Sequence, residues 1–333
     1  MKILKQSIGI DVSKNDLKVC LGIINEQLET KNLYENAYFN DKKGIIKLIK
    51  DIAAKIDEGV PAFVVMEATG VYHQQLAYAL SAKHFSVAIL LPNKAKSFSK
   101  SINVRAKSDV IDAKLLCQMG LERRLNAWQP PEDIFATLKI LTREREALVL
   151  QRSKLKNQLH AAQTAFIKAD KTISRIKGHI LYLTKQIRDA QADMKALIKQ
   201  NQPIAEKVKK ITKVKGLSFL SVVTILAETD GFNIILNQKQ LIGYSGLDVR
   251  VEQSGEKKTK GRITKKGNAH LRKALYMPAL SACRTNKTMK LFYTQLNQRQ
   301  KAKKQGVIAV QRKLLLLTYS LWKTGQEYLE KCA

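Results

Sequence analysis

Apolar and polar positions over residues 1–128 alternate between extended and helical periods. SIGIDVS and LKVCLGII are apolar-rich runs joined by the polar SKND, which predicts a β-hairpin. A third extended stretch is expected over Leu28–Tyr38. Lys42–Ile56 then sets Ile45, Ile46, Leu48, Ile49 and Ile52 at helical spacing. AFVVM (62–66) is short and wholly apolar, as in the middle of a covered sheet. VYHQQLAYALSA reads as a helix, SVAILLP (86–92) as a second buried strand and Asp109–Arg124 as a helix. Pro130 and Pro131 mark a boundary. A hairpin, then helices alternating with strands, predicts an α/β layer fold with a mixed sheet.

The period then changes. Ile134, Leu138, Leu141, Arg145, Leu148, Arg152, Leu155, Leu159, Ala162 and Phe166 follow a 4-3 spacing. After a break near Lys168–Lys171 it resumes at Ile173, Ile176, Ile180, Leu183, Ile187, Ala190, Met194 and Leu197. Two heptad-patterned helices with a short connection predict a coiled-coil hairpin, and packing of both helices on their own domain is the alternative. Arginines at two seam positions imply a loose seam or an acidic neighbour. Beyond Pro203, ITKVKGLSFLSVVTILAETDGF predicts a helix, a glycine turn and a second helix. Such a turn either meets a phosphate through its amides or simply packs. The last 50 residues are helical, with core positions at Val307, Val310, Leu314, Leu317 and Leu321. The predicted parts are therefore an α/β domain (1–130), a helical-hairpin oligomerisation segment (131–202) and a mostly helical C-terminal domain (203–333).

Charge narrows the function. The chain has 333 residues, with 59 Lys+Arg against 28 Asp+Glu, a formal net charge of +31. An apolar share of 45% argues against general disorder. A surplus of that size repels itself unless a polyanion neutralises it, so nucleic acid is the first expected partner. No run of about 18 apolar residues offers a membrane span, and the N-terminus lacks a signal-peptide pattern. The expected class is a soluble, nucleic-acid-binding protein of a reducing compartment. Cys20, Cys117, Cys283 and Cys332 are widely spaced and suggest neither a zinc site nor a disulfide framework. Residues 250–273 hold nine Lys/Arg, two Glu and three Gly. Glycines let main-chain amides approach phosphates, so Arg250, Lys257, Lys258, Lys260, Arg262, Lys265, Lys266 and Arg272 are candidate nucleic-acid contacts.

Four acids are candidates for chemistry. Asp11 interrupts an apolar strand, and Glu67 ends another. Asp109 and Asp112 share one face of a helix start. Three have an ordinary alternative, a hairpin cap for Asp11 and helix caps for Asp109 and Asp112. Together, oxygen-only ligands select hard cations such as Mg²⁺ or Mn²⁺, and paired ions of that kind serve phosphodiester chemistry. Ser254, in QSG within the basic run, is a candidate nucleophile once something lowers its pKa.

GIDVSKNDLKV, VMEATGVY and NKAKSFSKSINVRAKSDVIDAKLL resemble the acidic motifs of the insertion-sequence 110 family of transposases. LIGYSGLDVRVEQSGEKKTKGRITKKGNAHLRKAL resembles that family's C-terminal domain, and Piv-type DNA invertases are similar. The resemblance implies a RuvC-like, RNase H-type N-terminal fold whose DEDD acids are Asp11, Glu67, Asp109 and Asp112. It implies Ser254 as a nucleophile that joins covalently to DNA, in a centre composed from two subunits. It also implies a structured bridge RNA that pairs with double-stranded donor and target DNA, and a dimer or tetramer. VKGL departs from the proline-glycine-apolar-glycine turn of relatives. Three other readings compete: a Holliday-junction-resolving nuclease with water as nucleophile, an architectural RNA-binding protein without catalysis, and an actin-like phosphotransferase, for which a second phosphate hairpin is missing.

Overall fold

The computed structural model describes residues 2–68, 70–103, 108–250, 253–254, 257–258, 262–299 and 302–328, with backbone alone at 250, 253–254, 257–258, 262 and 299. The chain divides into two compact units, residues 1–130 and 131–333.

In the first unit, β1 (Ile3–Val12), β2 (Asp16–Asn25) and β3 (Thr30–Phe39) form an antiparallel meander. Helix α1 (Lys42–Ala53) leads to β4 (Ala62–Glu67), which returns parallel to β1. Helix α2 (Gln74–Ala82) then leads to β5 (Ser86–Leu90), parallel to β4. Helices α3 (Pro92–Ser101) and α4 (Asp109–Glu122) complete the unit. The strand order β3-β2-β1-β4-β5, with β2 alone antiparallel between β1 and β3, is that of the RNase H-like fold. The expected α/β class with a mixed sheet is therefore what forms. Helix α3 was not expected. The predicted strand stops at Leu90, extended Leu91 caps a helix with Pro92 in its first turn, and Phe98 is its one fully buried side chain. A helix with so thin an apolar stripe leaves little periodic signal.

Alternation along β1 sorts its side chains between two layers. Ile8, Ile10 and Val12 join α1 and α2 in one core with Leu48, Ile52, Leu76 and Leu80. Ser7, Gly9 and Asp11 face the other way, toward α4. A Cβ at Gly9 would lie 2.1 Å from the Ala113 carbonyl oxygen and 2.2 Å from the Cys117 nitrogen. At the other end of the helix, a Cβ on Gly120 would meet Ser7 Oγ at 2.0 Å. Helix α4 thus lies on β1 backbone to backbone. Gly9→Ala should lower stability by about 3 kcal/mol, because the atom in the way is backbone rather than a movable side chain. Thermal melts check this, and a melt within 1 °C of wild type would contradict the contact. Cys20 and Cys117, far apart in sequence, also meet in this layer.

The second unit opens with α5 (Asp133–Thr164) and α6 (Asp170–Gln200), a long antiparallel hairpin. Its seam is uneven. Ile173, Leu183, Ile187, Ala190, Met194 and Ile198 of α6 are buried, whereas α5 buries only Phe135, Leu138 and Thr142 near its base. Arg145 and Arg152 sit half-buried in that seam, and Arg152 reaches Thr184 Oγ1 at 3.5 Å. Helices α7 (Gln202–Thr212) and α8 (Phe219–Thr229) follow, joined by the predicted glycine turn. Gly216 there has φ +106°, and a Cβ would lie 2.7 Å from the Ala282 side chain, so close packing accounts for the glycine. Next come α9 (Gln238–Ser245), the two-residue strands β6 (Val249–Arg250), β7 (Gln253–Ser254), β8 (Lys257–Lys258) and β9 (Arg262–Ile263), then α10 (Ala269–Thr285), α11 (Lys287–Arg299) and α12 (Lys303–Thr324). Their shared core includes Val222, Phe232, Leu271 and Leu275, with Val307, Val310, Leu314 and Leu321 as expected. Among the described residues, no helix is long and apolar enough to cross a membrane.

Candidate functional site

The four acids reach one place by register. Asp11 continues the Ser7–Gly9 face of β1 toward α4. Ile10 pairs with Met66 on β4, so Glu67 stands level with Asp11 one strand away. Val65, two residues before Glu67, packs with Leu116 and Met119 of α4, which puts Glu67 on the same face as Asp11. Helix α4 runs back along β1, with Gly120 at Ser7 and Ala113 and Cys117 at Gly9. Its first turn, bearing Asp109 and Asp112, therefore arrives beside Asp11.

The ordinary roles open to these acids are filled by their neighbours. The hairpin turn after β1 is closed by Ser13, whose Oγ accepts from Asp16 N at 2.9 Å and Asn15 N at 3.3 Å. The N-cap of α4 is Ser108, whose Oγ accepts from Ile111 N at 3.3 Å. Asp11, Asp109 and Asp112 are thus not spent on those caps. The arrangement has an electrostatic consequence: burial first, then the charges of Asp109, Asp112 and Glu67, push the Asp11 carboxyl up to about 6. Among the described residues, no three His, Cys, Asp or Glu side chains stand close enough together to form a ready-made metal cage. The four carboxylates share one field without closing on a point, as mutually repelling charges do. In donor chemistry they fit a hard divalent cation, which their repulsion would favour.

Ser254 lies on a ladder of its own. Val249–Arg250 pairs with Arg262–Ile263, and Ser254 pairs with Lys257 nearer the tip, all antiparallel. Lys260 lies outside the described residues, as do Gly255, Gly261, Cys332 and the side chains of Arg250, Ser254, Lys257, Lys258 and Arg262. Lys265 and Lys266 are exposed. Arg272 instead braces the base of the arm, donating through Nη1 to Ser245 O at 2.8 Å and Gly267 O at 3.1 Å. Gly267 is needed in the same neck, where a Cβ would lie 2.5 Å from Tyr244 O.

Sequence reasoning missed the group that anchors this neck. Glu228 on α8 is 1% exposed. Arg143 of α5 donates to both its oxygens, at 2.8 and 3.0 Å, and Asn268 Nδ2 donates to Oε2 at 2.7 Å. Asn268 N also donates to Tyr244 O at 2.7 Å, and the Tyr244 hydroxyl to Glu228 O at 2.9 Å. A second cluster, Glu146 with His270 and Lys273, ties α5 to α10 again. Helix hairpin and serine arm are joined through buried charge. The missed signal was a lone acid in the apolar run SVVTILAET. Burial alone would raise the Glu228 pKa, but the hydrogen bonds from Arg143 and Asn268, together with the charges of Arg143 and Lys139, hold the carboxyl below its ordinary value. A depressed carboxyl stabilises above its unfolded pKa and loses that contribution as pH falls. Glu228→Gln should cost about 3 kcal/mol at neutral pH, and the cost should shrink toward pH 3. Melts of both proteins across pH check this, and a cost independent of pH would contradict it.

Comparison with known proteins covers most of the chain. A DEDD transposase model of the IS110 type, described as "Transposase", matches residues 8–166. A second model, "Transposase IS116/IS110/IS902 family", matches residues 208–294. The pilin gene-inverting protein of Moraxella lacunata is 28% identical over 97% of this chain and 98% of its own. The transposase for insertion sequence element IS1328 of Yersinia enterocolitica is 23% identical over 80% of this chain and 81% of its own. Among solved structures, T. thermophilus RuvC in complex with Holliday junction substrate matches 34% of this chain and 90% of its own, at 14% identity and a TM-score of 0.26. The strand order, rather than that superposition, identifies the fold.

Proposed function

The chain belongs to the IS110 family of transposases, and on that premise we propose a DNA recombinase that cuts and rejoins strands through Ser254. The observation that supports this reading is the set of Asp11, Glu67, Asp109 and Asp112 on one face and at one end of the sheet, with Ser13 and Ser108 filling the caps. Those four carboxylates would hold Mg²⁺ or Mn²⁺, which supplies positive charge at the scissile phosphate and lowers the pKa of an attacking hydroxyl.

The chain's own residues supply the rest. In this reading Ser254 Oγ attacks the phosphorus, forming a serine–phosphate bond as one strand bond breaks. The departing strand hydroxyl takes up the proton that the serine gives up. Attack by a hydroxyl of another strand reverses the step, so one phosphodiester replaces another without nucleotide hydrolysis. Lys257, Lys258, Lys260, Lys265 and Lys266 would hold phosphates near the serine, with Arg250 and Arg262 flanking the ladder. The braces at Arg272 and Glu228 would fix the direction of the arm.

Exchange between two duplexes needs more than one centre, so the chain would act as a dimer or tetramer, the acids of one subunit meeting the serine of another. The half-open seam of α5 leaves apolar positions for a second hairpin to cover. A net charge of +31 suits two kinds of polyanion held together, DNA (donor and target) and a guiding bridge RNA, in the bacterial or archaeal cytoplasm.

Incubating the purified chain with donor and target plasmids, the RNA encoded beside its gene and Mg²⁺ tests the reading. Joined plasmids should appear, and both EDTA and omission of the RNA should reduce them at least about a hundredfold. Cut plasmids without joints would support a junction-resolving nuclease instead. Plasmids bound but uncut would support an architectural protein.

A further inference from the structure

The end of the sheet that carries the acids also carries exposed apolar side chains and an unbalanced run of positive charge. Phe39 ends β3 opposite Asp16, at the hairpin beside Asp11. Val71 and Tyr72 follow β4 a few residues after Glu67, and Leu91 follows β5, whose Leu90 pairs with Glu67. Their exposures are 70% for Phe39, 66% for Val71, 42% for Tyr72 and 57% for Leu91. Asn40 links the β3 end to this loop, its Nδ2 donating to Ser13 O at 2.8 Å and to Tyr72 O at 3.2 Å. The backbone that presents Tyr72 is therefore held against the hairpin turn beside Asp11.

Residues 68–108 contain no Asp or Glu, although acids stand at both borders, Glu67 and Asp109. Within them α3 turns Ala95 and Phe98 inward and leaves Lys94, Lys96 and Lys100 exposed. Lys96 and Lys100 are four apart on one helical face, where like charges repel. Among the described residues neither forms an ion pair. Such a face is stabilised by an anion with regularly spaced charge. The helix springs directly from the strand end level with Glu67, so phosphates along it would neighbour the phosphate at the acids.

We propose that the acidic end of the sheet receives DNA as an unpaired strand, with a base stacked on Tyr72 and the flanking phosphates held by Lys96 and Lys100. Duplex DNA keeps its base faces covered and would meet these lysines while leaving the apolar rim in water. An unpaired strand uses both, since aromatic faces stack bases and a basic groove follows the backbone. Val71 and Phe39 extend the apolar surface on which neighbouring bases lie. This inference rests on the strand-cutting reading of the four acids, because it places the held strand at that centre.

Photo-crosslinking of the full chain to a short oligonucleotide carrying 5-iodouracil tests it, with adducts located by peptide mass. The expected adduct is at Tyr72 with single-stranded DNA, at least about tenfold weaker with the matched duplex. Tyr72→Phe should keep single-strand affinity within about twofold, whereas Tyr72→Ala should lower it about tenfold. Replacing Lys96 and Lys100 with Ala should reduce the slope of log affinity against log salt by about 1.4. All three positions, Tyr72, Lys96 and Lys100, are exposed, so melting within about 2 °C of wild type confirms that the variants fold. Adducts confined to other segments, equal labelling by duplex, labelling by RNA but not DNA, or wild-type affinity in Tyr72→Ala would each overturn the proposal. Failure of the metal-site reading would differ: Asp11→Asn would still cut, whatever Tyr72 binds.

Discussion

Asp11→Asn should slow strand cleavage in Mg²⁺ by at least about a thousandfold while leaving nucleic-acid affinity within about twofold. The change removes one of four charges that would hold the ion and keeps the shape of the side chain. It should also make the metal-free protein more stable. Folding raises the Asp11 carboxyl from 3.8 to about 6, so ionising it weakens the fold as pH rises through that window. The full shift corresponds to about 3 kcal/mol, and partial exposure reduces it to about 1–2 kcal/mol. Thermal melts in EDTA should therefore show Asp11→Asn above wild type at pH 7.5 and level with it near pH 4. Loss of cleavage with a lower melt at neutral pH would mean that the substitution damaged the fold.

Ser254→Ala should abolish both joining and the covalent protein–DNA species, with a loss of about 10⁴-fold or more in rate, as for other nucleophile deletions. Labelled donor DNA, run with protein on a denaturing gel, reads the adduct directly. A nuclease using water would continue to cut in this variant. Because the serine sits on a ladder braced from below by Arg272 and Asn268, the substitution should leave the melt unchanged. Cleavage at wild-type rate in Ser254→Ala would remove the serine from the mechanism.

The pattern of apolar positions was sufficient for the strands of the first unit and for the long hairpin, because alternation and heptads each report on one packing face. The acids were legible as a group because Asp11 and Glu67 interrupt apolar strands and the Asp109/Asp112 spacing shares a helical face. Whether they were caps was not legible: serines precede many helices, and only coordinates show Ser13 and Ser108 accepting the amides. Helix α3 escaped because it buries so little. Glu228 escaped because its partners, Arg143 and Asn268, lie far from it in sequence. Arg272 counted toward the basic run in sequence, yet its guanidinium braces the neck through Ser245 and Gly267 carbonyls. The reverse holds for Gly9, which reads as an unremarkable strand residue until the helix backbone is found against it.

The most direct measurement is a crystal of the full chain soaked in Mn²⁺, with anomalous differences collected at the manganese edge. The account predicts density bounded by Asp11, Glu67, Asp109 and Asp112, absent from Asp11→Asn crystals soaked in the same way. Manganese bound elsewhere, or no manganese there while the same preparation still joins DNA, would contradict it.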